Sequence, residues 1–575
     1  MTRRNTLGSL CMLLASMPIL FSSAVLAADT PEAVVKKVYK SVPAERAVGG
    51  MTAEARLAEI AQLHEQVSAL VPRGVAAAGV SVEISDQDRQ NLAPPLANPA
   101  GGAPMRIGVV KSVAPAVVGI DHRGVMQEDA DGGFVWAISF SSPDAGAIRL
   151  HVANFSLTHN AKMYFLDQAG NAFGPYEAQG RNNNGDFWTR SIPSDTGTIL
   201  LRVDGPVSDQ DRRNISFVID KIAHISKAGR NPNPMPDPQS HDSWPCADNA
   251  SCVVDANCGS VGPAAPAKDA IAKYEWIQGP FVNTCTGGLI ADTDSGSQRA
   301  LFLTANHCLS KNQSNMETWF NYETSGCNGT CPHNILTGGA PPSDTIGFTV
   351  LASGRDGDFT LGELNQAPPA GAVFLGWTNT PIAFTNGADL HRISNPNFGP
   401  QAYSMHDVDT GAGTCNGLPR GEMIYSNDAV GATMGGSSGS PVVNSSSQIV
   451  GQLFGCCGFN CGDVCDSGSN STIDGALAHY FANVEPFLDP QGGGGCSTDP
   501  ECDDGDACNG AETCVGGSCQ NGTPPPCQNG DGCCPSGCNT GNDHDCVSCG
   551  ANKAPCTQNS DCCSNNCKNG SCRGN

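Results

Sequence analysis

Apolar residues recur at three- and four-residue intervals over "PEAVVKKVYKSV" and "TAEARLAEIAQLHEQVSALV", between residues 31 and 72, and predict amphipathic helix there. From about residue 104 the period shortens. "GGFVWAISFSS", "GAIRLHVANFSL", "AKMYFLDQAG", "DFWTRSIPS", "GTILLRVDG" and "ISFVIDKIAHI" are short, partly alternating runs separated by Gly, Asn, Asp and Pro. That spacing predicts an antiparallel β-sandwich over 104–225. "SKAGRNPNPMPDPQSHDSWPC" then reads as an exposed linker open to proteolysis. Strand-like runs resume after Cys246 in "CTGGLIAD", "RALFLTANHC", "FTVLASG", "AVFLGWT" and "QIVGQLFGC", and "GALAHYFANVEPFL" closes them as a helix. "QGGGGC" marks another joint. The expected divisions are a helical region over 28–103, a β-rich domain over 104–225, a linker over 226–243, a second β-rich domain over 244–490, a Gly linker over 491–495 and a tail over 496–575.

Residues 1–27 stand apart. Arg3 and Arg4, a short apolar stretch and small residues near Ala27 and Ala28 have the form of a secretory signal peptide cleaved there. No later segment is apolar over the length that would span a bilayer as a helix. Export implies an oxidising compartment, and the cysteines agree. After Cys11, 12 lie between Cys246 and Cys465 and 16 between Cys496 and Cys572. Both groups are even-numbered, as expected if each closes its own disulfides.

The formal charge of −24 argues against a nucleic-acid partner, whose phosphates it would repel. The tail has no Phe, Trp or Tyr, so only disulfides or metal can hold its shape. Asp499, Asp503, Asp504 and Asp506 lack the spacing of a calcium loop and read as solvated turn carboxylates.

Three stretches of the second β-rich domain carry candidate chemistry: "FLTANHC", "RDGDFTLGELN" and "GATMGGSSGSPVV". A serine hydroxyl is a poor nucleophile at neutral pH. It needs a neutral imidazole to take its proton, and the imidazole needs a carboxylate to fix its tautomer and stabilise its cation. His307 follows a strand-like run, Asp358 starts one, and Ser438 lies among glycines whose N–H groups can face a developing oxyanion. Singly each is weak. Their order within one domain-sized segment gives them weight.

"TANHC" and "GSSGSP" resemble the histidine and serine motifs of chymotrypsin-fold serine endopeptidases. The nearer likeness is to the bacterial lysyl endopeptidase branch, carried in order by "CADNASC", "LFLTANHC", "NYETSGC", "DFTLGELN", "ISNPN" and "SPVVNSSSQIVGQL". It covers roughly 244–490. The upstream region is similar to the β-rich propeptides of such enzymes. The resemblance implies a mainly β chain: a chymotrypsin-like double β-barrel protease domain, preceded by a β-sandwich-like propeptide and followed by a disulfide-rich tail. It further implies that His307 is the general base, Asp358 its orienting carboxylate and Ser438 the nucleophile, with the N–H groups of Gly436 and Ser438 as oxyanion hole. Asp356 is the competing carboxylate, and "DFTLGEL" favours Asp358. The implied disulfides are Cys285–Cys308, Cys252–Cys327, and Cys246 with one of Cys456, Cys457 or Cys461. Cys258, Cys331, Cys415 and Cys465 have no counterpart.

Two positions depart from the pattern. Ser437 stands where the animal trypsin-like enzymes carry the aspartate that pairs with a new N-terminus, so activation here implies release of a folding-assisting, inhibitory propeptide. In the lysyl branch a carboxylate on the strand after "GQL" pairs with the substrate cation, whereas here Thr472 falls there, with Asp474 two places later. Thr433 and Met434 before the nucleophile add no charge. A lysine preference therefore does not follow unless Asp474 or Asp466 restores it. The resulting expectation is a secreted serine endopeptidase made as a pre-pro-enzyme. It acts on protein or peptide substrates, needs no metal or organic cofactor, and carries a tail that reads equally as an attachment to a surface or substrate, a segment trimmed in maturation, or a spacer. The alternative is an exported binding or adhesion protein on an inactive protease-like scaffold. A missing triad residue would mark it, and none is missing.

Overall fold

The computed structural model describes residues 40–47, 50–92, 103–226, 249–294, 298–329, 344–415 and 417–490, together with two short paired strand segments in the tail. The signal-peptide segment, the linker, the tail's acidic residues and most of its cysteines lie outside them. So does most of the first helical run. Its last residues, 40–42, are not helical, and Ser41 bridges Thr378 instead. The second run forms α1 (Ala53–Val67), capped by the Thr52 side chain, which accepts from the Ala55 N–H at 3.0 Å. No described helix is long and apolar enough to cross a membrane.

The β-rich region after it is a sandwich. One sheet is centred on β2 (Phe134–Ser141), β5 (Thr196–Val203) and β4 (Ala161–Asp167); the other on β1 (Met105–Val118), β6 (Ser216–Ile225) and β3 (Ala147–Ser156). Alternation along β5 explains its nearly continuous apolar run. Ile199, Leu201 and Val203 enter the core between the sheets, while Leu200 packs outward with Val67 at the end of α1. The expected strand at "DFWTRSIPS" shrinks to Phe187–Trp188.

The remaining strands close two barrels. In the first, β7 (Ile271–Gln278), β10 (Gln313–Phe320), β11 (Thr345–Gly354), β12 (Phe359–Leu364), β9 (Leu301–Ala305) and β8 (Phe281–Leu289) pair in that order, and β7 meets β8. In the second the order is β14 (Ala402–Val408), β13 (Asp389–Ser394), β16 (Pro441–Val443), β17 (Ile449–Gly458), β18 (Asn470–Ala476) and β15 (Met423–Val430), closed by β14 with β15. Closure leaves no open edge within either ring. The helix α2 (Leu477–Leu488) packs Leu477, Tyr480 and Val484 into the first barrel's core.

The sandwich is continuous with the first barrel. Strand β1 pairs antiparallel with β8, Met105 opposite Thr284 and Val109 opposite Phe281. Beside this seam Arg149 of β3 is fully buried. Its Nε donates to Thr189 O and its Nη2 to Asn315 O, both at 2.9 Å, with Glu275 and Glu317 within 3.8 and 3.9 Å of Nη1.

Five bridges staple the barrels: Cys252–Cys465, Cys258–Cys327, Cys285–Cys308, Cys415–Cys457 and Cys456–Cys461. Two expectations are corrected. Cys327 is taken by Cys258, because Asp255 accepts from the Asn328 N–H and the Thr324 hydroxyl and so draws the two turns together. Cys252 reaches Cys465 instead. Cys456, Cys457 and Cys461 are all occupied, so none is free for Cys246, which lies outside the described residues.

Candidate active site

His307 sits in the turn that follows β9, and Asp358 ends the turn leading into β12. Because β9 and β12 are paired, Ala305 opposite Phe359, the two turns face each other. The contact is threefold. The Asn306 N–H donates to Asp358 O (2.9 Å), the His307 N–H to Asp358 Oδ1 (2.9 Å), and His307 Nδ1 bonds Asp358 Oδ2 (2.6 Å). With an anionic carboxylate this requires the proton on Nδ1, leaving Nε2 as the basic atom. Both side chains are nearly sealed, and His307 Nε2 is buried with no hydrogen-bond partner. Asp356 is exposed in the preceding turn.

Asp358 adopts a left-handed backbone (φ 48°), a conformation that needs support from its surroundings. Gln452 supplies it. Its Nε2 donates to Gly357 O (2.8 Å) and Asp358 O (3.1 Å), and its Oε1 accepts from the Tyr480 hydroxyl on α2. Tyr480 also stacks on Phe359, ring centroids 4.2 Å apart.

The second barrel contributes the serine loop. Ser438 is half-buried between Gly436 (φ +93°) and Gly439 (φ +81°). A side chain at 439 would meet Thr304 Oγ1 at 2.2 Å and Thr286 O at 2.6 Å, so the loop approaches the first barrel as closely as only glycine allows. Ser438 O accepts from the Thr286 N–H (2.9 Å) and Gly436 O from the Thr286 hydroxyl (2.8 Å). Thr286 adjoins Cys285, and the Cys285–Cys308 bridge ties it to the residue after His307. The N–H groups of Gly436 and Ser438 donate to no protein acceptor among the described residues. Ser437 is fully buried and bonded to the Ser394 hydroxyl (3.0 Å). Across the site the Phe454 ring of β17 stands edge-on to His307, centroids 5.8 Å apart. The one cluster of metal-type ligands among the described residues is His307 with Cys285 and Cys308, whose sulfurs are bridged to each other.

The expected specificity residues separate. Met434 packs toward Ala250 and Cys252, and Thr433 is half-buried beside it. Asp474 is sealed, and its Oδ1 is spent on Arg392, whose Nη1 also donates to Ser440 O (2.8 Å). It therefore offers no charge to a substrate. Asp466 is a half-buried loop residue accepting from Asn460 and the Ser469 N–H. Thr472 is buried opposite Cys456, and its hydroxyl donates to Asp428 Oδ1 (2.7 Å). Asp428 was not singled out from the sequence. Neither were Gln452 and Phe454, although the latter two lie in the quoted "QIVGQLFGC".

The family model for the lysyl endopeptidase C-terminal domain matches residues 246–470. The lysyl endopeptidase of Pseudomonas aeruginosa is 30% identical over 413 residues, 66% of this chain and 81% of that protein. Among solved structures, the HtrA-type protease AlgW with tripeptide aligns at 14% identity (TM-score 0.29; 40% of this chain, 64% of that one). The active form of the Rv3671c protease from M. tuberculosis aligns at 13% (TM-score 0.26; 41% and 90%). The closed barrels themselves, rather than these scores, define the fold.

Proposed function

The chain belongs to the lysyl endopeptidase family and is a serine endopeptidase; on that premise we propose that Ser438 is its nucleophile, His307 its general base and Asp358 the carboxylate that orients the base. The observation that carries this reading is the double grip of Asp358 on His307, at the N–H and at Nδ1, with Nε2 left unpartnered. Ser438 Oγ bonds to the carbonyl carbon as its proton passes to Nε2. The resulting oxyanion accepts from the Gly436 and Ser438 N–H groups. Collapse expels the amine with the proton from His307, and water releases the acyl group by the same route. The substrates are proteins or peptides.

The region over 28–225 is its propeptide, removed after export directed by residues 1–27. Support comes from β1, whose Met105 pairs with Thr284 beside Cys285. Met105 Sδ also lies 3.7 Å from where a side chain on Gly435 would begin. The first sandwich strand thus occupies a sheet edge at the mouth of the site that an extended substrate would use. It inhibits by occupying that edge.

A fluorophosphonate probe tests both parts. Label is expected on the processed chain, absent in Ser438→Ala and much weaker on the unprocessed precursor. No label on folded, processed protein would return the barrels to a binding scaffold. Equal label on precursor and processed chain would remove the inhibitory role of β1.

A further inference from the structure

We propose that Asp428 selects the substrate residue on the acyl side of the scissile bond (P1), by pairing with a cationic side chain of lysine or arginine type. The proposal rests on Ser438 being the nucleophile. The serine loop is bonded to β17, the Gly439 N–H to Leu453 O and the Leu453 N–H to Ser440 O, and the next residue of β17, Phe454, stands at His307. On the adjoining strand Thr472 lies opposite Cys456, two residues beyond Phe454 on β17, and opposite Ser426 on β15. Thr472 itself carries no charge, but its hydroxyl reaches Asp428. A carboxylate therefore stands one hydrogen bond away from the threonine, supplied by a different strand.

The bonding of Asp428 is one-sided. Oδ1 takes both Thr472 Oγ1 and His406 Nδ1, each at 2.7 Å. Oδ2 has no protein donor among the described residues, and it is not among the sealed, unpartnered atoms of the structure. The side chain keeps 15% exposure. His406 is fully buried, and its Nε2 meets the Ser404 hydroxyl at 2.8 Å. A neutral imidazole satisfies both contacts, with Nδ1–H donating to Asp428 and Nε2 accepting from Ser404. Such an imidazole orients Asp428 without cancelling its charge. Burial pushes the Asp428 carboxyl up, yet its contact with His406, the bond from Thr472 and the charge of Arg392 together outweigh it and hold the group below its ordinary value.

The contrast with Asp474 decides between the two carboxylates. Asp474 is closed off by a direct bond to Arg392, whereas Asp428 feels the Arg392 charge without bonding it, and no lysine or arginine among the described residues bonds Asp428. An anion fixed in a pocket wall with one oxygen free is best completed by a cation that brings its own donors. An apolar side chain would instead strip water from Oδ2 and give nothing back.

The test compares kcat/KM on peptide anilides differing only at P1, using processed enzyme counted by fluorophosphonate labelling. Lysine and arginine are expected to exceed alanine, and Asp428→Asn to lower the lysine-to-alanine ratio by about 10²-fold. Asp428→Glu should restore part of it. A wild-type ratio near one, or a ratio unmoved by Asp428→Asn, would overturn the proposal. Calorimetric binding of benzamidine, a cation that needs no catalysis, gives a second reading. Binding in wild type that is lost in Asp428→Asn supports the site even if labelling of Ser438 fails, and binding equal in both sinks it. Failure to label with cation binding intact would instead remove the nucleophile assignment.

Discussion

The two barrels each hold a histidine bonded through Nδ1 to an aspartate, at 2.6 Å for His307–Asp358 and 2.7 Å for His406–Asp428. The chemistry of the pairs is the same, and their surroundings separate them. His307 leaves Nε2 unpartnered at the junction where the serine loop arrives, so the pair can accept a proton. His406 has Nε2 occupied by Ser404 and is fully buried, so the reachable atom is on the aspartate instead. A histidine–carboxylate pair is thus a base when its second nitrogen is open, and a fixed anion when its second carboxylate oxygen is. The bond within the pair does not assign the role.

The widest separation between them should appear on removing each imidazole. His307→Ala is expected to lower kcat by about 10⁶, equally for every P1 residue, because the proton acceptor is lost. His406→Ala should instead lower the lysine-to-alanine ratio of kcat/KM by roughly tenfold, since Asp428 loses one of its two donors. Steady-state kinetics on the anilide series reads both. If His406→Ala lowered kcat on all substrates as His307→Ala does, the distinction would collapse.

That distinction also marks what the sequence could reveal. Much of the sandwich and the closing helix was legible, because Ile199, Leu201 and Val203 alternate and α2 repeats its apolar positions at helical spacing. Strand β1 was not, since Pro115 within "MRIGVVKSVAPAVV" breaks the strand signal. His307, Asp358 and Ser438 stood out through short contiguous motifs. Asp428 could not, because its meaning comes from register. It meets Thr472 only through the pairing of β15 with β18, and His406 only through that of β14 with β15. Cys252 and Cys258 failed for a related reason: their partners depend on which turn Asp255 draws in.

A third buried histidine shows what happens without a carboxylate partner. The side chain of His224, in β6 of the sandwich, bonds the Ser142 hydroxyl (2.9 Å) and no other group among the described residues. Burial, with Arg89 adding and Asp144 and Asp88 opposing, pushes its imidazole down to about 4. The unfolded chain, with an ordinary imidazole near 6.5, then binds the extra proton between those values. The stability this residue supports is complete above about pH 6.5 and is lost as pH falls towards 4. The depression is worth on the order of 3 kcal/mol before solvent screening. Hydrogen exchange of the Ser216–Ile225 amides in full-length Ser438→Ala should show protection falling over that range, corrected for intrinsic rates. His224→Gln should flatten the fall. An unchanged slope would mean that other groups carry the acid sensitivity of the sandwich.

The smallest expected effect returns to the second pair and tests its proton arrangement. Ser404→Ala removes the hydroxyl that His406 Nε2 meets, and no other described residue bonds that nitrogen. A buried nitrogen left without its partner costs about 1–3 kcal/mol, so the second barrel should be destabilised by that amount in urea titration of the processed protein. The direction at the pocket follows from the tautomer. With Nδ1–H still donating to Asp428, the carboxylate keeps its orientation and the lysine-to-alanine ratio should shift by less than it does in His406→Ala. If the ring instead carried its proton on Nε2 and donated to Ser404, Nδ1 could not donate to an ionised Asp428. Losing Ser404 would then free the ring to turn its proton to Asp428, and the ratio would rise. The sign of that small change therefore tells which nitrogen holds the proton, and with it whether Asp428 faces the substrate as an anion already held by its neighbour.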